Sequence, residues 1–170
     1  ATEVTQLQYF MVMGRNPATF SKKKHCDAGN FRIINGVGLC ANHPLETMTW
    51  EDIQPFIARL NEAQSRYTYR LPTEAEREYA ARGGMPSTFQ HRYPTGEADA
   101  GKIGDFAWYD RNASGRTHQV GTKKPNPYGL HDMAGNVCEF TKNWYGEYAG
   151  TAEVDPAGPA SSYKRLIRGG

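Results

Sequence analysis

The chain has 170 residues, the size of one domain with a single core. Its 20 basic and 18 acidic residues nearly balance and are mixed along the sequence, which argues against a surface built to neutralise many phosphates. Mean hydropathy is −0.72 and no run approaches the roughly 18 apolar residues of a membrane helix. No nucleic acid and no membrane insertion are therefore expected.

Eighteen Gly and ten Pro beside 12% aromatic residues describe a chain of many turns fixed by large rings. That composition implies an irregular, loop-rich α+β domain. No repeat, low-complexity tract or linker divides it, so residues 1–170 read as a single domain.

Thr5 and Gln8 fit a capping box and open the first expected helix, with Leu7, Phe10 and Met11 on one face and Gly14 at its end. Lys22-Lys23-Lys24-His25 reads as a solvated loop. Cys26 and Cys40 share a Gly/Asn-rich stretch, and a disulfide between them would add roughly 3 kcal/mol. Two reduced, buried thiols fit the sequence equally well. Location stays unknown, with an extracytoplasmic site favoured if the two are bonded.

A second helix follows Thr49, with Trp50, Ile53, Phe56, Ile57 and Leu60 at helical spacing and Pro55 placed to kink it. Thr73 and Glu76 form another capping box for a third helix, which carries Tyr79 and Ala80 on one face and stops at Arg82-Gly83-Gly84. Residues 106–109 and 118–121 read as short extended segments, and Leu166-Ile167-Arg168 as a strand.

The chemistry-bearing residues are sparse. His25, His43, His91, His118 and His131 are scattered, without the paired spacing of a zinc or iron site. No Gly-x-Ser-x-Gly is present, and Ser114 reads as a turn. Cys138, in an aromatic context beside Glu139, reads as a small core residue. Glu74, Glu76, Glu78 and Arg82 are explained by helix capping and surface pairing. Asp132 and Glu139 flank Gly135-Asn136, which can turn both carboxylates towards one calcium ion. The same residues also fit a turn cap and an ion pair with a nearby Lys or Arg.

Several ordered motifs together carry a resemblance. Glu3-Val4-Thr5-Gln6 is followed by Asn42-His43-Pro44-Leu45-Glu46, then by Arg70-Leu71-Pro72-Thr73-Glu74-Ala75-Glu76 and Glu78-Tyr79-Ala80-Ala81-Arg82-Gly83-Gly84. Asn126-Pro127-Tyr128-Gly129-Leu130, Asp132-Met133-Ala134-Gly135-Asn136-Val137 and Arg168-Gly169-Gly170 complete the series. Over essentially its whole length the chain resembles the formylglycine-generating-enzyme, or sulfatase-modifying-factor, family. The resemblance implies a C-type-lectin-like fold. It also implies calcium held by side-chain oxygens of Asp132 and Glu139 and main-chain oxygens of Gly135 and Val137.

Departures from the family shape the functional expectation. Arg77, Cys138 and Phe140 stand where family members usually carry Trp. In the copper-dependent members two metal-binding cysteines follow the Arg-Gly-Gly motif, and no pair among Cys26, Cys40 and Cys138 has that position. The family's opening strands before Glu3 are also not seen, so the chain reads as the central part of a longer protein, without its N- and C-terminal edges. The expected role is a non-catalytic, calcium-stabilised binding or scaffold module. Its partner would be a protein or peptide client, a small ligand or another segment of the same protein, met by the loop from His91 to Arg116. The alternative is the scaffold of an oxidoreductase that converts a client cysteine to formylglycine, with Cu+ bound only if a segment with paired cysteines lies beyond residue 170.

Overall fold

The structure is a computed structural model and describes residues 1–83, 102–148, 150–151 and 153–170. Gly84, His91 and the rest of 84–101, which include the first part of the expected recognition loop, lie outside the described residues.

Helix α1 (Gln6–Met13) starts on Thr5, whose hydroxyl accepts the Gln8 N–H at 3.2 Å while Gln8 Oε1 accepts the Thr5 N–H at 2.9 Å. It stops at Gly14, whose φ of 69° suits a residue without Cβ. The buried face is Gln6, Tyr9 and Phe10, and Met11 is 71% exposed, against the expected face of Leu7, Phe10 and Met11. Gln6 turns inward because distant backbone groups satisfy its amide. Its Oε1 accepts the Cys40 N–H at 2.9 Å, and its Nε2 donates to Phe20 O at 3.2 Å and Pro44 O at 3.4 Å.

Strands β1 (Phe31–Ile34) and β2 (Val37–Cys40) form an antiparallel hairpin. Its turn is Asn35-Gly36, both at positive φ (50° and 79°), the geometry that matches the right-handed twist of the strands. Phe10, Leu39 and Ala41 form the core beneath it, edged by Leu7, Ile34 and Val37. Cys26 and Cys40 are joined by a disulfide, with Cα atoms 5.2 Å apart, which fastens the loop after the short 3-10 turn Lys23–His25 onto β2.

Helix α2 (Trp50–Ala63) is capped by Thr49 and Asp52 and runs on through Pro55. Its buried Phe56 ring lies 5.2 Å from that of Tyr9, which fixes α2 against α1. Helix α3 (Glu74–Ala81) begins on the Thr73–Glu76 box, and Gly83 follows at φ 70°. Arg77 and Ala81 are buried there while Tyr79 is 57% exposed, the reverse of the expected face.

Neither expected extended segment forms a strand. Residues 103–106 make the single helical turn α4 (Ile103–Phe106), and 118–121 are irregular. A second antiparallel pair joins β3 (Cys138–Trp144) to β4 (Arg165–Gly169), with Cys138 opposite Gly169 and Phe140 opposite Ile167. The Arg165 guanidinium lies 3.6 Å from the Trp50 ring centre and 3.3 Å from that of Trp144, so a cation between two aromatic faces ties this sheet to α2.

Candidate functional site

The turn region before β3 is held by its own polar side chains. Asn126 Oδ1 accepts the N–H groups of Tyr128 (2.9 Å) and Leu130 (3.1 Å), while its amide donates to Ala80 O and Ala81 O at the end of α3. Asp132 and Asn136 sit in the left-handed region, at φ 61° and 70°. Asn136 Oδ1 accepts the His118 N–H at 2.9 Å, and its amide donates to His118 O at 3.1 Å and to Glu3 Oε2 at 2.9 Å. One side chain thus joins the N-terminus, the 118–121 segment and the turn. Burial and the nearby Asp132 carboxylate push the Glu3 carboxyl up to about 9, despite the Asn136 hydrogen bond.

The four residues offered to calcium are near one another in the chain, and three of their oxygens, Asp132 Oδ2, Gly135 O and Glu139 Oε2, have protein partners. Asp132 is 1% exposed and its Oδ2 accepts the Gly121 N–H at 2.7 Å, while Oδ1 is buried without a partner among the described residues. Burial raises its pKa, opposed by the Gly121 hydrogen bond. The Gly135 carbonyl accepts the Val137 N–H at 3.0 Å. Glu139 Oε2 accepts from Arg77 Nε at 3.0 Å, the ion-pair alternative for this residue. Asp132 Oδ1 invites a cation, whereas a guanidinium already stands at Glu139. Calcium wants six to eight oxygens, so an ion here would have to displace the protein partners of Asp132 Oδ2, Gly135 O and Glu139 Oε2. Among the described residues, no three His, Cys, Asp or Glu side chains converge as ligands.

Histidines distant in sequence do meet, around Asp27. Asp27 Oδ1 lies 2.7 Å from Arg116 Nη1 and 3.4 Å from His118 Nδ1, and Oδ2 accepts the Gln119 N–H at 2.8 Å. Burial alone would raise the Asp27 carboxyl, but the Gln119 and Arg116 hydrogen bonds and the neighbouring charges hold it below its ordinary value. His43 is fully buried, and its Nε2 accepts the Asp27 N–H at 3.0 Å, so the proton belongs on Nδ1, 3.3 Å from Thr117 Oγ1. The 3.4 Å approach of Asp27 Oδ2 to that Nε2 is therefore not a hydrogen bond of the neutral ring. The His118 ring stacks on Trp108 with centroids 3.8 Å apart, and its Nε2 faces Ala113 O at 2.9 Å. Both rings are engaged as braces. His131 Nδ1 faces Lys123 O at 2.8 Å, and His25 packs edge-on against Phe20.

A pH dependence follows from His43. Burial lowers its pKa, opposed by Asp27 and reinforced by Arg116, so between the folded value and the ordinary 6.5 the unfolded chain binds more protons. The His43 contribution to stability should fall as pH drops below 6.5, approaching about 1.4 kcal/mol per pH unit for one proton, while the raised Glu3 carboxyl contributes a slope of the opposite sign over the same range. Urea unfolding at a series of pH values from about 7.5 to 5.5 checks this. The stability difference between the wild type and the His43→Gln variant should shrink as pH falls from 6.5, and a difference independent of pH would remove His43 from the account.

The remaining feature is a cavity of about 990 Å³ between α2 and the β3–β4 sheet. Ile53, Ile57 and Leu60, one face of α2, line one side, and Phe140 and Ile167 line the other. Its volume lies at the upper end of the usual range for ligand pockets. Cys138 opens onto it as an exposed free thiol rather than a core residue, and the residue facing its Sγ is Gly170, which has no side chain: a Cβ there would lie 2.5 Å from the sulfur. Its Sγ donates weakly to Gly169 O at 3.5 Å. The acids of α3 are all paired: Glu76 with Arg70 and Glu78 with Arg82, at 2.7 and 2.6 Å, and Glu74 with Arg168 and Tyr148.

Comparison with known proteins adds to this geometry. Residues 1–170 match the family described as the sulfatase-modifying factor enzyme 1-like domain. A serine/threonine-protein kinase pkn1 of Chlamydia pneumoniae is 38% identical over 134 residues, covering 76% of this chain and 19% of the kinase. The formylglycine-generating enzyme of Streptomyces coelicolor is 34% identical over 141 residues, covering 76% of this chain and 42% of the enzyme. The chain thus spans less than half the length of either relative. Treponema denticola variable protein 1 superposes with a TM-score of 0.81 at 28% identity, over 99% of this chain and 70% of that protein.

Proposed function

This chain belongs to the formylglycine-generating-enzyme, or sulfatase-modifying-factor, family, and from that premise we propose that residues 1–170 act as a binding module. The apolar cavity between α2 and the β3–β4 sheet receives side chains of a polypeptide client. The observation that carries this reading is the cavity itself, large and predominantly apolar along α2, Phe140 and Ile167, with Glu3, Glu46, Arg70, Asp110, Arg116 and Glu139 also on its walls. A polypeptide is favoured over a small ligand because the family includes enzymes named for generating formylglycine, a residue made within a protein chain. The thiols of this stretch also support binding over thiol chemistry: Cys26 and Cys40 are bonded to each other, and Cys138 stands alone.

The 34% identity to a formylglycine-generating enzyme favours a second reading, in which the same scaffold serves a copper-dependent oxidation with thiols from outside residues 1–170. An anilinonaphthalene sulfonate titration tests the first reading. The dye should bind saturably, and Ile57→Lys, which places a charge on the cavity face of α2, should weaken it at least about tenfold. Unchanged dye binding in the variant would contradict the cavity assignment. Tight stoichiometric Cu+ binding with oxygen consumption on a cysteine peptide would replace it with the second reading.

A further inference from the structure

The position of Arg77 carries an inference about metal dependence. Arg77 lies on α3 and is 6% exposed, so its charge is held inside the protein. Nε donates to Glu139 Oε2 at 3.0 Å and Nη2 donates to Met133 O at 3.0 Å. Gly169, at φ 83°, is the residue β4 presents to this group. A Cβ built there would lie 2.6 Å from Arg77 Nη2 and 3.5 Å from Val137 O. The guanidinium is therefore wedged where the start of β3 meets the end of β4, beside the Glu139 carboxylate and near the Val137 carbonyl. Both are oxygens that the sequence resemblance offers to calcium.

We propose that the Arg77 side chain is an internal cation that takes the place of calcium, so that the Asp132–Glu139 turn of this chain is ordered without metal. A guanidinium is suited to this. It is always charged, and its planar fork aims several N–H groups at oxygens in fixed directions. A divalent ion arriving beside it would meet like charge at short range and would have to strip Glu139 from its partner. Of the other offered oxygens, Asp132 Oδ2 and Gly135 O already accept backbone N–H groups at 2.7 and 3.0 Å, which leaves Asp132 Oδ1 as the buried oxygen without a partner among the described residues. The substitution of Arg for the usual Trp then replaces a bound ion by a covalent one.

Thermal unfolding of the whole chain in EDTA and in millimolar CaCl2 tests this. The wild type should show the same Tm in both, within about 1 °C, and isothermal titration should show no saturable uptake of Ca2+. Arg77→Gln removes the charge and keeps a polar side chain, so its Tm should rise by at least about 4 °C on adding calcium. Adding Glu139→Gln to that variant should abolish the rise. Saturable stabilisation of the wild type by calcium would overturn the proposal, as would a folded Arg77→Gln protein indifferent to calcium. If Arg77→Gln does not fold in EDTA, refolding it in CaCl2 decides: recovery supports the replacement, and no recovery overturns it.

Discussion

Gly135→Ala should destabilise the protein by about 4 kcal/mol or more, lowering Tm by roughly 10 °C. The cause is steric. A Cβ on Gly135 would collide with the Trp108 carbonyl oxygen and lie 3.0 Å from both the carbonyl carbon and the amide nitrogen of Trp108. These are backbone atoms that no rotamer change can move aside. The same carbonyl accepts the Asn136 N–H at 2.8 Å, so any retreat of the turn also breaks that hydrogen bond. Asn136 would shift with it, and its bonds to Glu3 and His118 fasten the N-terminus and the 118–121 segment. Thermal unfolding of the variant checks this, and a loss below about 1 kcal/mol would mean that the two backbones do not approach so closely.

The Cys26→Ser variant should lose about 3 kcal/mol. The bond spans a sequence separation of 14, so its loss frees a loop of ordinary size in the unfolded chain. Replacing Cys26 rather than the fully buried Cys40 leaves the core beneath β2 filled, which separates loss of the link from creation of a cavity. The effect should spread to the Asp27 cluster, because Asp27 follows Cys26 directly and takes its partners from residues 116–119. Wild-type protein unfolded in urea with excess dithiothreitol should match the variant. Equal stability with and without reductant would show that the bond adds nothing to the fold.

The legible parts of this fold are the local ones. The capping boxes at Thr5 and Thr73 need only residues three apart, so their chemistry can be read directly from the sequence. Helix faces were less legible. Gln6 and Arg77 look like surface residues until their partners, Cys40, Pro44, Met133 and Glu139, come from elsewhere in the chain. The β1–β2 hairpin has a local signal, Asn35-Gly36 between apolar residues, but it lies within the Gly/Asn-rich stretch between Cys26 and Cys40, where no strand is expected from composition. The meeting of His43 and His118 at Asp27 has no spacing signature, because it is made by tertiary contacts. Cys138 reads as core from its aromatic neighbours, yet its thiol is exposed and faces Gly170, which has no side chain.

Family membership limits the function without choosing it, since one fold supports many activities and the relatives here include both a kinase and a formylglycine-generating enzyme. The choice rests on the site. Among the described residues, Asp132 Oδ2, His43 Nε2 and Glu139 Oε2 are engaged by neighbouring N–H and guanidinium groups, whereas Ile53, Ile57 and Leu60 of α2 line the cavity.

The most direct test of the binding assignment is fluorescence anisotropy of a labelled eight-residue peptide of alternating Leu and Ser, titrated with the whole chain and with Ile57→Lys. The account predicts saturable binding to the wild type and at least about tenfold weaker binding to the variant, because a lysine on the cavity face of α2 would have to be desolvated against Leu side chains. No saturable binding to the wild type, or equal binding to both proteins, would contradict it.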